Sequence, residues 1–340
     1  MNPCKTFTFC VLALLCAPSW AAKTDIVILN NGDRITGDIK KLEAGLLEFF
    51  TDTMGMVYIE WRFITEVLSD KQHTVETTDG NRWLGRLQKP AEGEGIELQT
   101  GRGSIQIRPE DMVQAWPVEA TFWDKLDLDI SAGLDYANST EISNFNFALD
   151  ASYMTEIRLV QVTARSYNTH QPEGEDQSRN SLTGMHQYLL PGRNFRATLG
   201  GAETNEALGV NLRLYVGGGV GRYFTKSEDT WFSGLVGLLA NQENPKQAGS
   251  EVNFEAVTGL RYRRFRFASP ERNLDAQLLV FPSITDFGRV RADFRTTFKF
   301  EIIRDLFWAL EVYSSYDSDP LSLNADKSDY GITTSIGWTH

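Results

Sequence analysis

The sequence predicts an all-β protein: a small N-terminal tandem SH3/Sm-like β-barrel module, followed by an antiparallel transmembrane β-barrel of about 12 strands. Three observations lead to this prediction. An apolar stretch at the N-terminus is typical of a secretory signal. Two similar segments then follow one another between residues 24 and 119, and a strict apolar–polar alternation recurs from residue 122 onwards. Alternation with a period of two indicates β-strands, because successive side chains point to opposite faces.

The composition excludes two classes of protein. The chain has 340 residues, a net charge of −12 and a mean hydropathy of −0.30. Such a low hydropathy disfavours a bundle of membrane helices, whereas a membrane barrel is recognised by alternation rather than by hydropathy. Nucleic-acid binding requires a basic surface, so no nucleic-acid partner is expected.

Residues 1–22 are predicted to be a cleaved signal peptide. Lys5 precedes an apolar run over 7–17, and Ser19 and Ala21 occupy the positions that a signal peptidase reads. The run is too short to cross a bilayer, which needs about 20 residues. All cysteines lie in this stretch, so the mature chain cannot form wrong disulfides in an oxidising periplasm.

The next segment contains an internal repeat. Residues 27–39 align with 75–87, and each copy carries a hairpin signal, Asn31-Gly32 or Asp79-Gly80. Such dipeptides favour type I′ turns, which require positive φ at both central residues. A period of about fifty residues with several short strands indicates a small closed β-barrel of SH3 or Sm-like type, present twice.

The C-terminal part shows the pattern of an outer-membrane barrel. In 126–136, leucines and an isoleucine alternate with aspartates. The pattern returns at 145–153, 210–216, 252–262, 290–300 and 330–338, with less regular strands near Val160, Leu182, Phe195, Phe232, Leu274 and Leu306. Short links alternate with longer polar ones at 168–179, 241–250 and 317–328, as turns and loops do in such barrels.

A soluble β-sandwich is the alternative, since its strands also alternate. Several strands here approach the roughly ten residues that a membrane strand requires, longer than the five or six of an average strand. Aromatic residues also gather at the ends of strands where a membrane interface would lie: Phe122, Trp123, Trp308 and Trp338. Both observations favour the membrane barrel.

Two stretches carry a resemblance to a known family. The sequence Leu-Gly-Val-Asn-Leu-Arg-Leu-Tyr-Val-Gly-Gly-Gly-Val-Gly-Arg-Tyr-Phe at 208–224 resembles the bacterial family of salt-induced outer-membrane proteins, a β-barrel domain of unknown function. The motif Asn-Gly-Asp-Arg-Ile-Thr-Gly at 31–37 is similar to N-terminal extensions of its longer members. The resemblance covers residues 123 to 340. It implies a cell outer-membrane barrel and a role in salt response, and it carries over no catalytic residue. The even number of predicted strands puts both ends of the barrel on the periplasmic side, so the module is expected in the periplasm.

No catalytic, cofactor-binding or metal-binding residue is predicted. The glycines over 217–221 are not followed by a helix, so they do not form a phosphate-binding loop. The histidines lack metal-ligand spacing: His73, His170, His186 and His340. Lipid hydrolysis would need a serine beside a histidine, but Ser181 and His186 fall on opposite strand faces.

The polar strand faces carry the candidate functional charges. The candidates for the lumen are Asp127, Asp129, Asp135, Asp150, Arg261, Arg263, Arg289, Arg291, Arg295 and Lys299. Two interpretations stay open. The charges form ion pairs that fill a narrow barrel, or acidic and basic walls create a field that selects polar solutes in a small pore.

The sequence therefore predicts a non-enzymatic outer-membrane protein with a structural or envelope-stress role. The alternatives are a small-solute channel with a charged lumen and a lipid-modifying enzyme. The expected partners are outer-membrane lipid and lipopolysaccharide and, for the module, peptidoglycan or a periplasmic protein; Trp61, Trp83 and Trp116 are either groove or core residues of that module. The predicted domains are the signal peptide 1–22, SH3-like repeats 24–71 and 72–119, and the outer-membrane barrel 122–340.

Overall fold

The computed structural model describes residues 25–90, 95–118, 122–137, 142–155, 157–171, 177–245, 251–267, 270–303, 306–320 and 326–338. The predicted signal peptide lies outside these residues. The described part is all-β, as predicted; its helical segments are three single 3₁₀ turns. No helix in these ranges has the length and apolar character to cross a membrane.

The strands form two sheets, one of nine strands and one of twelve. The first contains β1 (Asp25–Leu29), β2 (Arg34–Glu43), β3 (Leu46–Thr51), β4 (Gly55–Glu60), β5 (Ile64–Thr77), β6 (Arg82–Gln88), β7 (Ile96–Thr100), β8 (Gly103–Ile107) and β9 (Met112–Pro117). The second contains β10 (Leu126–Ala137), β11 (Ile142–Met154), β12 (Arg158–His170), β13 (Gln177–Leu189), β14 (Asn194–Asn205), β15 (Val210–Lys226), β16 (Thr230–Pro245), β17 (Glu251–Arg266), β18 (Arg272–Pro282), β19 (Val290–Ile303), β20 (Leu306–Asp317) and β21 (Ser328–Trp338).

The nine-stranded module is organised around the long strand β5. Its first half pairs with β1 and its second half pairs with β6 and β9, while β2 pairs with both β1 and β9. β1, β2, β9 and β5 therefore close a small ring of four strands. A shared apolar core lies inside, which includes Val27, Phe49, Trp61, Val75 and Leu98. Trp61 is a core residue, and its Nε1 donates to the Pro109 carbonyl oxygen at 2.7 Å.

The two predicted hairpins form, but with a different turn. In the first, the Gly32 N–H donates to the Leu29 carbonyl, and in the second the Gly80 N–H donates to the Thr77 carbonyl. φ is +88° at Gly32 and +81° at Gly80, and among the described residues Ala44 is the one non-glycine with positive φ. Asn31 and Asp79 therefore do not adopt the type I′ conformation. Each turn places a glycine at the left-handed position, which glycine adopts without strain because it has no Cβ.

The twelve-stranded sheet joins each strand antiparallel to its neighbour in the chain, in the order β10 to β21. The sheet curls on itself, as shown by contacts across the interior between side chains of β13 and of the last two strands. Arg179 on β13 donates to Asp329 on β21 at 3.0 Å and to Ser315 on β20 at 2.9 Å. β15 extends beyond the predicted 210–216 to Lys226, because the glycine run continues as strand.

The two faces of the curled sheet differ in chemistry. The strand ladders place apolar residues on the outer face, where many are exposed: Leu128, Ile130, Leu134, Leu182, Val216, Val220, Val236, Leu238, Phe254, Ile332 and Ile336. The inner face carries buried charges such as Arg213, Glu255 and Arg291. This distribution is the reverse of the one in a water-soluble domain, where apolar side chains lie inside.

Candidate functional site

The interior of the curled sheet brings together many charged groups in described ion pairs. We call the end where β13 joins β14 and β15 joins β16 the turn end, and the opposite end the loop end. A set of seven side chains near the loop end is named the loop-end network: Glu203, Arg213, Glu243, Glu255, Arg289, Arg291 and Asp317.

Bidentate pairs hold the loop-end network together. Arg291 on β19 donates from Nε and Nη2 to the two carboxylate oxygens of Glu255 on β17, at 2.8 and 2.6 Å. Arg289 binds Asp317 in the same way and also donates to Glu243 at 3.0 Å. Such planar pairs match the guanidinium fork to the carboxylate.

A third arginine extends this network to β14. Arg213 on β15 donates to Glu243 at 2.8 Å and also pairs with Glu203. Arg213 and Glu243 are each 3% exposed. A buried charge is tolerated only when it is paired and hydrogen-bonded. The network therefore fills this part of the interior with three arginines that are each paired with acidic side chains.

Three predicted lumen charges at the turn-end half of the interior pair with neighbouring strands. Arg261 binds both oxygens of Asp275, at 3.2 and 2.8 Å, and Arg263 lies 3.4 Å from the same carboxylate. Asp150 accepts a hydrogen bond from Arg165 at 2.6 Å. The ladders of β17, β18 and β11 with their neighbours fix these positions on the inner face.

The remaining predicted lumen charges divide into three groups. Arg289 and Arg291 belong to the loop-end network. Arg295 and Lys299 share the inner face of β19, where Lys299 Nζ lies 4.2 Å from the centre of the Phe307 ring. The side chains of Asp127, Asp129 and Asp135 lie outside the described residues.

Most partners of these arginines are not among the charges predicted from the sequence. Glu243 and Asp317 fall in predicted loops, Glu255 lies in a predicted alternating strand, and Glu203 lies outside the regularly alternating segments. The signal was nevertheless present, since Arg213 and Glu255 occupy the polar positions of their strands. Among the described residues, no group of three or more His, Cys, Asp or Glu side chains is arranged to hold a metal ion.

An apolar layer lies between the two charged regions. Leu239, Val257 and Phe281 form the buried cluster of this layer. A second cluster, which includes Phe195 and Tyr223, lies nearer the turn end, beside Arg261 and Arg263. Inward-facing glycines form the wall behind these side chains. A Cβ on Gly221 would overlap the Phe195 ring, and one on Gly201 would overlap the Tyr215 phenol. The glycines of the 217–221 run therefore make room for side chains from neighbouring strands.

The N-terminal module covers the turn end. Lys226, at the end of β15, donates from Nζ to Glu76 Oε1 at 2.7 Å and to Gln114 Oε1 at 2.9 Å. Arg82 holds the second oxygen of Glu76 at 3.0 Å. Lys226, Glu76 and Gln114 are at most 3% exposed, so the contact excludes water.

Backbone contacts extend the junction between module and curled sheet. Arg193, in the turn between β13 and β14, donates to the Thr78 carbonyl at 2.7 Å. A Cβ on Gly80 would collide with the backbone of Gly192, so the two turns are in direct contact. The buried Trp116 lies on β9 next to Ala115 and Gln114, whereas Trp83 is partly exposed. The face of the second repeat is thus a docking surface for the turn end.

We expect substitution of Lys226 by methionine to loosen this junction. Glu76 and Gln114 would each lose a buried donor, which costs about 1–3 kcal/mol. Adding Glu76→Gln should recover part of the loss, because a neutral amide needs no cation. Urea denaturation of the purified protein, with limited proteolysis of the module as the readout, measures both variants. Lys89→Met, at an exposed pair with Glu66, is the matched control and should be nearly neutral. Equal effects of Lys226→Met and Lys89→Met would contradict a tight junction.

The interior of the module contains a second polar cluster. Buried Asp25 accepts hydrogen bonds from the Ile39 N–H at 2.8 Å and from Ser69 Oγ at 2.6 Å. Burial lowers the pKa of the neighbouring His73, although the negative charge of Asp25 opposes the shift. Burial also lowers the pKa of Lys71, but a hydrogen bond to Asp38 and the charge of Asp25 outweigh it, so that this pKa is raised. The cluster ties β1, β2 and β5 together with a neutral His73 and a charged Lys71.

These features define a class: an all-β protein in which a curled twelve-stranded sheet with a charged interior is capped by a small ring-shaped module. Residues 128–339 match the family described as a protein of unknown function, DUF481, and the chain belongs to this family. The match covers the curled sheet and not the module. No curated protein and no solved structure matches the chain.

Proposed function

We propose that residues 122–340 form a β-barrel in the cell outer membrane and that the module lies in the periplasm. We also propose that the interior of the barrel is filled, so that it is closed to solutes. The protein would then serve a structural or envelope-stress role, without catalysis. The observation that carries this proposal is the reversed distribution of polarity over the curled sheet, with exposed apolar residues outside and buried ion pairs inside.

The outer face supports contact with lipid. Leu134, Leu238 and Ile336 are 77%, 63% and 70% exposed, and they belong to a band that follows the strands around the sheet. Exposed apolar patches of this extent are unusual in soluble monomers. Lipid tails would cover the band, and outer-membrane lipid with lipopolysaccharide is therefore the proposed environment. Exposed Phe122 and Trp123 at the turn end would lie at the interface, where aromatic residues concentrate.

The interior supports a closed barrel rather than a channel. The loop-end network, the apolar layer around Phe281 and the docked module lie one after another along the interior. Each contains side chains that are nearly inaccessible to water. This arrangement favours ion pairs as a filling over acidic and basic walls that face each other across a pore.

The position of the module supports a periplasmic attachment role. The module is fixed to the turn end through Lys226, and short turns face the periplasm in outer-membrane barrels. The surface of its two SH3-like repeats that does not contact the barrel would then be presented to peptidoglycan or to a periplasmic protein. Envelope stress, including salt stress, is the setting that the sequence resemblance implies for such a link.

We expect the protein to fractionate with outer membranes and, once purified in detergent, to migrate differently on gels before and after boiling. Reconstituted in planar bilayers, it should give no open-channel steps, because three filled layers block the interior. The double variant Lys226→Met/Arg193→Met, which weakens the module junction, should also remain non-conducting, since the network and the apolar layer persist.

Two outcomes would contradict the proposal. A folded, monomeric protein in the aqueous fraction without detergent would exclude the membrane barrel. Discrete conductance steps from the unmodified protein would exclude the closed interior and favour the small-solute channel.

A further inference from the structure

We infer that the turn-end half of the interior contains a binding site for a small oxyanion, such as phosphate or a short carboxylate. The site lies between Arg261, Arg263 and the amide side chains around them. It depends on the interior of the curled sheet and not on the location of the protein in a membrane.

A cavity marks the site. It has a volume of about 60 Å³, which is room for several water molecules or one small oxyanion. Its polar lining consists of hydrogen-bond donors and neutral groups: Gln161, Gln187, Ser233, Arg261, Arg263 and Gln277. The described residues that line the cavity include two arginines and no carboxylate.

Asp275, the nearest carboxylate, does not accept hydrogen bonds from both Arg261 and Arg263. Arg261 occupies both oxygens of Asp275, with Nε at 3.2 Å and Nη2 at 2.8 Å. Arg263 Nε lies 3.4 Å from one of these oxygens without hydrogen-bond geometry, and this buried nitrogen has no hydrogen-bond partner in the described structure. A buried donor without an acceptor costs free energy, which a ligand oxygen would recover.

Among the residues whose side chains the structure describes, the other acids near the cavity are already engaged. Asp150 is paired with Arg165 at 2.6 Å, and Glu76 is shared by Lys226 and Arg82. Glu43, which exerts an electrostatic effect on Arg263, pairs with Lys41 at 3.0 Å. Among these described groups, positive charge therefore remains in excess around the cavity, and an anion would balance it.

Aromatic rings hold the guanidinium of Arg263, whose Nε has no hydrogen-bond partner in the described structure. The Arg263 guanidinium lies 5.2 Å from the centre of the Trp231 ring and 4.7 Å from that of Phe265. A guanidinium held in this way loses little freedom when it binds, and its fork suits two oxygens of one oxyanion. Tyr223 Oη donates to Gln187 Oε1 at 3.2 Å, which leaves the Gln187 NH₂ as the donor end, apart from a 3.8 Å contact with Met185 Sδ.

Isothermal titration of the full, detergent-solubilised protein with inorganic phosphate and with succinate tests the inference, at constant ionic strength against sodium chloride. Saturable binding of at least one of the two probes is expected. Arg263→Met should weaken it by about 10- to 100-fold, the loss expected for a charge-assisted hydrogen bond. Arg264→Met is the matched control, because Arg264 is the next residue on the same strand but is exposed on the outer face. The Arg264→Met variant should bind the probe with the affinity of the unmodified protein.

A further variant keeps the test decisive if Arg263→Met does not fold. Arg263→Lys retains the charge but lacks the fork, so its affinity should fall by a smaller factor than that of the methionine variant. Absence of saturable binding for both probes in the unmodified protein would overturn the inference. The inference would also be overturned if the Arg263 variants that fold bind the probe with the same affinity as Arg264→Met. Neither result would affect the proposed closed membrane barrel, which fractionation and conductance test separately.

Discussion

Replacement of Leu238 by arginine is expected to destabilise the proposed membrane barrel by about 2–4 kcal/mol, the cost of an arginine on a lipid-facing surface near the bilayer midplane. Leu238 lies in the middle of β16, on the outer face, and is 63% exposed. Its cross-strand neighbours, Gly218 and Ala256, are small, so an arginine would fit sterically. The cost therefore arises from the environment of the side chain and not from packing.

The same substitution distinguishes a membrane barrel from a soluble protein. On a water-exposed face, Leu238→Arg should change the free energy of unfolding by no more than about 0.5 kcal/mol. Val252→Arg, on the outer face near the loop end of β17, is the matched control and should cost about 0–1 kcal/mol in a membrane barrel, because the position lies near the interface. Urea-dependent unfolding in lipid vesicles measures all three proteins. Equal, small effects at Leu238 and Val252 would refute the lipid-facing band.

About twelve strands could be predicted from the sequence, because apolar–polar alternation is a local pattern that does not depend on which strands pair. Alternation shows directly in β10, β11, β17 and β19, where one side of each strand is apolar. The ends of the strands were predicted less accurately, because several strands continue into polar segments. The predicted loop 241–250 contains the end of β16, because Glu243 faces inward and pairs with Arg213. A polar residue that is buried by a distant partner is indistinguishable from a loop residue in the sequence.

The candidate site was predictable in kind but not in its pairs. The inward position of Arg261, Arg263 and Arg291 follows from strand periodicity alone. The partner of Arg291 depends on the curl of the sheet, which brings β19 to β17 across β18. Asp275, the partner of Arg261 and Arg263, lies on the neighbouring strand β18, but the sequence does not show which strands are paired in which register. The junction between Lys226 and Glu76 could not be foreseen either, because it depends on how two separately folded sheets meet.

Loss of the guanidinium in Arg291→Met is expected to destabilise the protein by about 3–5 kcal/mol, the cost of a buried charge left without its partner. Glu255 is 1% exposed and accepts two hydrogen bonds from Arg291, at 2.8 and 2.6 Å. Methionine fills a similar length but offers no donor, and water cannot replace it in the packed interior. The midpoint of urea unfolding, read from gel mobility without boiling, measures the effect.

The double variant Arg291→Met/Glu255→Leu separates the pairing of charges from the filling of space. An apolar pair of similar volume often equals a buried ion pair in stability, so the double variant should recover most of the loss. Arg196→Met, at an exposed position on the outer face of β14, is the control and should stay within about 0.5 kcal/mol. If Arg291→Met alone is as mild as Arg196→Met, water reaches Glu255 and the interior is open. A severe single variant that Glu255→Leu rescues would instead show that the network is a dry filling, as a closed barrel requires.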